Sequence, residues 1–158
     1  MIRHRPLAAL DMSRICSFPQ NEEELFYFFP TARYPLTTEQ LSPVIAGRTA
    51  PTVVENGGQV VAFADLFHLK HSDYYNIGNV IVAPEARGQG MGRYLIAQMI
   101  NIARKMPGAK WLRVSCFNSN TAALLLYTGL GFVPYRLEER FDWQGNRVAL
   151  VHLRKFFS

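Results

Sequence analysis

The order of segments along this 158-residue chain predicts a mixed α/β fold: a twisted, mostly antiparallel sheet of about seven strands flanked by helices. Three observations lead there. Asn56-Gly57-Gly58 between Thr52–Glu55 and Gln59–Leu69 reads as an early hairpin. Gln144-Gly145-Asn146 between Val133–Asp142 and Arg147–Arg154 reads as a late one. Between them lie a strand, a helix and a strand, Tyr74–Val82, Gly90–Met106 and Lys110–Cys116, which form a βαβ unit.

The other elements follow in order. A short strand over Ile2–Leu7 leads into a helix over Ala8–Cys16. Glu22–Phe29 and Thr38–Gly47 read as two more helices. Thr37 or Thr38 can cap the second, and Glu39 falls in its first turn. In Gly90–Met106, Leu95, Ile96, Met99, Ile100 and Ala103 share one face at 3.6 periodicity. In Lys110–Cys116, Leu112, Val114 and Cys116 alternate with Trp111, Arg113 and Ser115. Asn120–Leu130 is the last helix. No linker, repeat or low-complexity stretch divides the chain, so residues 1–158 are expected to form one domain.

Composition narrows the function classes. Apolar residues make up 49% of the chain, enough for a sizeable core, yet no run approaches the roughly 18 residues of a membrane span. Leu7–Leu10 is too short for a signal segment, and Asp11 interrupts it, so a cytoplasmic location with no membrane partner is expected. Cys16 and Cys116 are isolated and read as reduced thiols. With four scattered histidines they offer no metal-ligand spacing, and no metal is expected. The net charge of +5 is uneven. Residues 85–113 carry six basic side chains against Glu85 alone, while residues 19–46 carry Glu22, Glu23, Glu24 and Glu39 against Arg33. A basic segment beside a glycine-rich loop suits a small polyanion. No basic-aromatic interleaving supports a nucleic-acid partner.

The chemistry concentrates where the βαβ strand meets its helix. Val80-Ile81-Val82-Ala83-Pro84 ends a β-branched run, Arg87-Gly88-Gln89-Gly90-Met91-Gly92 follows, and the helical pattern begins at once. Glycines let a backbone approach a phosphate, and the first N–H groups of a helix lack intrahelical partners. A P-loop is excluded, since Gly88 and Gly92 are too close and no Lys-Ser or Lys-Thr follows. A dinucleotide fingerprint is excluded as well. Counted from Gly88, its third glycine position holds Arg93, and the chain twenty residues on is basic.

The remaining pattern, [RQ]-x-x-G-x-[GA], resembles the pyrophosphate motif of the GNAT superfamily of acetyl-CoA-dependent N-acetyltransferases. A second segment, Asn120 to Phe132, is similar to that family's N-x-x-A-x-x-x-Y-x-x-x-G-F, with Asn120, Ala123, Tyr127, Gly131 and Phe132 in place. The two lie 28 residues apart, from Gly92 to Asn120, and the resemblance covers roughly residues 52–154. It implies acetyl-CoA as cosubstrate, a GNAT-like sheet with splayed central strands, and no metal.

It also implies roles. Backbone N–H groups of Gly88, Gln89, Gly90, Met91, Gly92 and Arg93, together with Arg87, would hold the pyrophosphate. Main-chain groups of Val80, Ile81 and Val82 would pair with the pantetheine arm. Asn120 would touch the cofactor while capping its helix, and Tyr127 would serve the departing sulfur. For the base, the strand from Tyr74 to Val80 has no carboxylate. His68, His71 and Asp73 lie nearby but read more simply as surface-turn residues. A water chain held by Asn79, Ser115 or a backbone carbonyl is the preferred reading. The acceptor wall is expected from Glu24, Tyr27, Phe28 and Tyr34, since carboxylates and aromatic faces suit a cationic amine. The same segment equally fits a helix with acidic residues at its N-terminus burying aromatic core.

The expected function is transfer of an acetyl group to a primary amine, either a small amine or a peptide lysine or N-terminal amine, by direct attack in a ternary complex. A ribosomal-protein-type N-terminal acetyltransferase and a non-catalytic CoA-binding regulatory module are the alternatives. The expected assembly is a monomer or homodimer.

Overall fold

The computed structural model describes residues 1–157. Seven strands form one sheet: β1 (Ile2–Pro6), β2 (Thr49–Asn56), β3 (Gln59–His68), β4 (Tyr74–Val82), β5 (Trp111–Phe117), β6 (Val133–Phe141) and β7 (Arg147–Phe156). Their order is β1-β2-β3-β4-β5-β7-β6. Every pairing is antiparallel except β4 with β5. The helices are α1 (Met12–Cys16), α2 (Glu22–Phe28), α3 (Thr38–Ala46), α4 (Met91–Arg104) and α5 (Thr121–Gly129).

Boundaries differ from the sequence reading where backbone geometry overrides pattern. The first helix is split: a 3₁₀ turn over Ala9–Asp11 precedes α1. Strand β2 begins three residues early because Ala50, at φ 48°, absorbs an irregularity between Thr49 and Thr52. Helix α4 stops at Arg104, before Pro107 and Gly108. Its exit tightens as Lys105 N–H bonds the Ile102 carbonyl and Met106 N–H bonds that of Ala103. The early hairpin is as expected: Asn56 pairs with Gln59 across Gly57 and Gly58, both at positive φ.

Helix α4 buries Met91, Leu95, Ile96, Met99, Ile100 and Ala103, the apolar stripe of the sequence, across β2–β5. Residues Tyr75, Ile77, Leu112 and Val114 turn to this face; the Tyr75 hydroxyl reaches the Pro107 carbonyl beyond the end of α4. Helix α2 lies on the other face. The Phe28 ring meets Phe63 edge-on at 6.4 Å, and Phe26 stacks on Phe117 at 4.2 Å.

One local departure opens the sheet. The parallel ladder between β4 and β5 ends at Ile77 and Val114. Just beyond, β4 holds one more residue than β3 between Gly78 and Ile81, a β-bulge with Asn79 at φ 50°. Strand β5 meanwhile stays paired with β7 as far as Phe117 and Leu150. The two central strands therefore part, as the family resemblance implied.

Candidate functional site

The gap between β4 and β5 leads into a cleft of about 560 Å³. Its floor is Val80, Ile81 and Val82. One wall is the loop and first turn of α4, with Arg87, Gly88, Gly90, Met91, Gly92 and Arg93. The other is α5, with Asn120, Ala122, Ala123, Leu126 and Tyr127. Helix α2 closes the mouth with Glu23, Glu24, Tyr27 and Phe28.

The loop geometry fits a phosphate ligand. Gly88 and Gly90 stand at φ 73° and 83°, and a Cβ on either would meet nothing within 4 Å. Backbone there faces open space at the start of a 14-residue helix whose first N–H groups are free. Gly92 has a different task. A Cβ there would come within 3.3 Å of Leu126, so this glycine lets α4 and α5 converge.

The side chains of the loop depart from their expected roles. Arg87 does not reach into open space. Its Nη2 pairs with Glu24 Oε1 at 2.9 Å, and its guanidinium also donates to the carbonyls of Val82 and Phe18. It ties the loop to β4 and to the segment before α2. Gln89 does not line the cleft; its amide bonds the Glu85 carbonyl. Arg93, in the first turn of α4, lines the cleft with Arg87. The basic stretch of 85–113 is also dispersed. Glu85 pairs with Arg14, Arg104 lies over Phe157, and Arg113 sits on the opposite face of the sheet, held by Asn76 at 2.6 Å.

Asn120 caps α5, its Oδ1 accepting from Ala123 N–H at 3.3 Å. Ala123, Leu126 and Tyr127 follow on the same helical face, a spacing visible in the sequence. Tyr127 is 3% exposed, and its hydroxyl bonds no protein group among the described residues. Burial pushes this phenol above its ordinary range, with the Cys116 thiol adding to the rise, so it stays protonated and can donate.

The acceptor wall needs correction. Glu24 is not an open carboxylate: besides Arg87 it accepts from Gln20 N–H, while its own N–H donates to the Asn21 side chain that caps α2. Tyr27 bonds the Ser119 hydroxyl at 2.7 Å and bridges α2 to the β5–α5 loop. Phe28 is buried, and its carbonyl accepts from Asn79 Nδ2 at 3.1 Å. Tyr34 lies elsewhere, in a smaller depression with Phe26, Arg33 and Trp143, its hydroxyl on the Gln20 carbonyl.

Of the proposed water-chain residues, Asn79 stands at the bulge with Oδ1 buried and unpartnered among the described residues. Ser115 stands one residue beyond the last β4–β5 pair, on the α2 face, with Oγ 2.6 Å from His152 Nδ1. His152 gave no signal in the sequence, because nothing there places β7 beside β5. His68 ends β3 with its ring against the Ser72 carbonyl, Asp73 lies just before β4 and accepts from Trp111, and His71 occupies a turn position at φ 67°. Among the described residues no cluster of metal-ligating side chains occurs, and no helix is long and apolar enough to cross a membrane.

Comparison with known proteins agrees with this geometry. The Acetyltransferase (GNAT) family profile matches residues 14–132. N-alpha-acetyltransferase RimI of Mycobacterium tuberculosis (strain ATCC 25618 / H37Rv) is 32% identical over 88 residues, 54% of this chain and 53% of that protein. The match thus spans about half the length of that relative. Ribosomal-protein-alanine N-acetyltransferase from Brucella melitensis superposes with a TM-score of 0.79 at 22% identity, covering 99% of each chain. Spermidine N-acetyltransferase from Vibrio cholerae, solved with CoA and spermine, gives 0.81 at 18% identity, covering 98% of this chain and 95% of that one. At such identities the likeness is one of fold.

Proposed function

Since this chain belongs to the GNAT family of acetyltransferases, we propose that it moves the acetyl group of acetyl-CoA to a primary amine by direct attack in a ternary complex. One observation carries the reading. The open backbone of Gly88 and Gly90, the parted strands and the Tyr127 hydroxyl all border one cleft. The loop N–H groups and Arg93 would hold the pyrophosphate, and the freed edge of Val80–Val82 would pair with the pantetheine arm. Bound acetyl-CoA supplies an activated thioester. The chain's task is then to orient it, exclude water, remove a proton from the amine and stabilise the departing sulfur. A thiol titrates near 8.5, so a phenol raised by burial is a poor source of a full proton. Tyr127 acts chiefly as a hydrogen-bond donor to the sulfur as charge develops.

A second reading is favoured by the RimI match: the acceptor is the N-terminal amine of a protein. The experiment that tests both measures melting temperature with acetyl-CoA, NAD and ATP. It then scores CoA release with spermine and with a hexapeptide beginning in alanine. Stabilisation by acetyl-CoA alone and turnover of the peptide alone support the N-terminal acetyltransferase. Stabilisation without turnover of any primary amine returns the chain to a CoA-binding regulatory module.

A further inference from the structure

On the α2 face of the opened sheet, three side chains from three strands join in line. Ser115 Oγ lies 2.6 Å from His152 Nδ1, and His152 Nε2 lies 2.6 Å from Glu138 Oε1. They stand at positions 115, 138 and 152, brought together because β7 inserts between β5 and β6. We propose that Ser115, His152 and Glu138 form the proton relay that deprotonates the acceptor amine. This deepens the acetyltransferase reading and rests on it.

The hydrogen bonds fix the direction of the relay. The His152 and Arg140 hydrogen bonds hold the Glu138 carboxyl down to about 2, so it is ionised and only accepts. Nε2 must therefore carry a proton. Burial pushes His152 below its ordinary value, and Arg113 and Arg136 further disfavour its cation, though Glu138 opposes them. The ring is neutral near pH 7, so Nδ1 carries a lone pair and the Ser115 hydroxyl donates to it. The Ser115 oxygen keeps its own lone pairs, and β4 no longer covers this side. Arg113, which could have competed for Glu138, is held by Asn76 and lies over Tyr74. Tyr135 packs its ring 6.4 Å from the imidazole on the β6 side.

The transfer balances. An ammonium N–H proton passes to Ser115 Oγ as the Ser115 proton passes to Nδ1. The amine nitrogen is left with its electron pair, and His152 becomes an imidazolium beside an ionised Glu138. His152 is 3% exposed, and the ionised Glu138 carboxylate beside it pairs with the imidazolium that forms. Ser115 touches the acceptor; His152 and Glu138 act through it.

The test compares wild type with Ser115→Ala, Ser115→Thr and His152→Gln, using spermine and the alanine hexapeptide as acceptors from pH 6 to 9. With the relay, the ammonium form is a substrate, and kcat/KM is flat above about pH 7. Without it, only amine already neutral in solution reacts. Ser115→Ala and His152→Gln should then climb about tenfold per pH unit towards the amine pKa, lying near pH 7 roughly tenfold low for the hexapeptide, whose α-amine titrates at about 8, and further below for the more basic spermine. Ser115→Thr, which keeps a hydroxyl, should restore the flat profile. Nitrogen-15 NMR of the wild-type imidazole should show the Nε2–H tautomer. Flat profiles in both Ser115→Ala and His152→Gln, an Nδ1–H tautomer, or an acetyl group found on Ser115 would overturn the relay. Each variant's melting shift with acetyl-CoA reports folding and cofactor binding separately. If wild type gains no stability from acetyl-CoA, the acetyltransferase reading falls and the relay with it.

Discussion

Arg87 Nη2 and Glu24 Oε1 lie 2.9 Å apart, joining the glycine-rich loop to helix α2 across 63 positions of chain. Both side chains are about one-third exposed, so the pair contributes at most about 1 kcal/mol to stability. Its larger consequence is electrostatic: a carboxylate offsets the loop's own arginine beside the proposed polyanion site. Glu24→Gln should therefore tighten acetyl-CoA binding about two- to fivefold at low salt, with the gain fading as salt rises. The acceptor KM should stay unchanged. Calorimetric Kd values at two ionic strengths check this. A raised acceptor KM with unaltered acetyl-CoA affinity would instead return Glu24 to the substrate wall.

Gly90 stands at φ 83° with nothing where its Cβ would be. Gly90→Val should cost roughly 1–2 kcal/mol of stability through its left-handed backbone. It should also place two methyl groups where the pyrophosphate is proposed to lie. Wild type should melt higher with acetyl-CoA, as a ligand bound only to the folded state requires. The variant should show no such rise. Equal shifts in both would remove the loop from the cofactor site.

Tyr127→Phe should keep acetyl-CoA affinity and lose turnover. A donor that meets the sulfur as charge develops stabilises the transition state more than the bound substrate. A fall in kcat of roughly ten- to a hundredfold, about 1.4 to 2.7 kcal/mol, is expected. The check is kcat and KM measured where chemistry limits the rate. Unchanged kcat there makes Tyr127 a core residue packed against Phe132.

Asp65 offers a test in stability. It is fully buried on β3 opposite Gly78, both carboxylate oxygens lack partners among the described residues, and Arg48 Nη1 is 4.0 Å away. Burial pushes its carboxyl up to about 7, against a smaller downward pull from Arg48. The folded protein therefore holds this proton more tightly than the unfolded chain, whose carboxyl titrates near 3.9. Stability from this group is full below about pH 4. It is lost as pH rises and is gone above about 7, a swing on the order of 4 kcal/mol. Asp65→Asn should be close to wild type at pH 4 and more stable than wild type, by about 1–3 kcal/mol, at pH 8. Urea midpoints at the two pH values check the sign; equal differences at both would mean that Asp65 does not titrate in this window.

Local chemistry made much of the molecule legible in the sequence. The α4 stripe is a 3.6-residue period, the early hairpin is two glycines between β-branched runs, and the loop before α4 is glycines at a helix start. Each is decided within about twenty residues, so the linear pattern suffices. The same holds for Asn120 and Tyr127, whose spacing on one helix carries them to one wall of the cleft.

Pairings between distant segments belong to the tertiary structure. Nothing near Glu24 or Arg87 shows that each neutralises the other, so the acidic run opening α2 read equally as a wall for a cationic amine and as a simple helix start. The bulge at Asn79 separates β4 from β5 because one extra residue shifts register against β3, a count that needs both strands. Strand order alone brings His152 between Ser115 and Glu138, and order follows from which hydrophobic faces can be covered together, not from any one strand's alternation. The sequence by itself determined the glycine-rich turn from strand to helix and the spacing of Asn120 and Tyr127 along one helix. Only the folded sheet, by setting three strands side by side, brought Ser115, His152 and Glu138 into one hydrogen-bonded line.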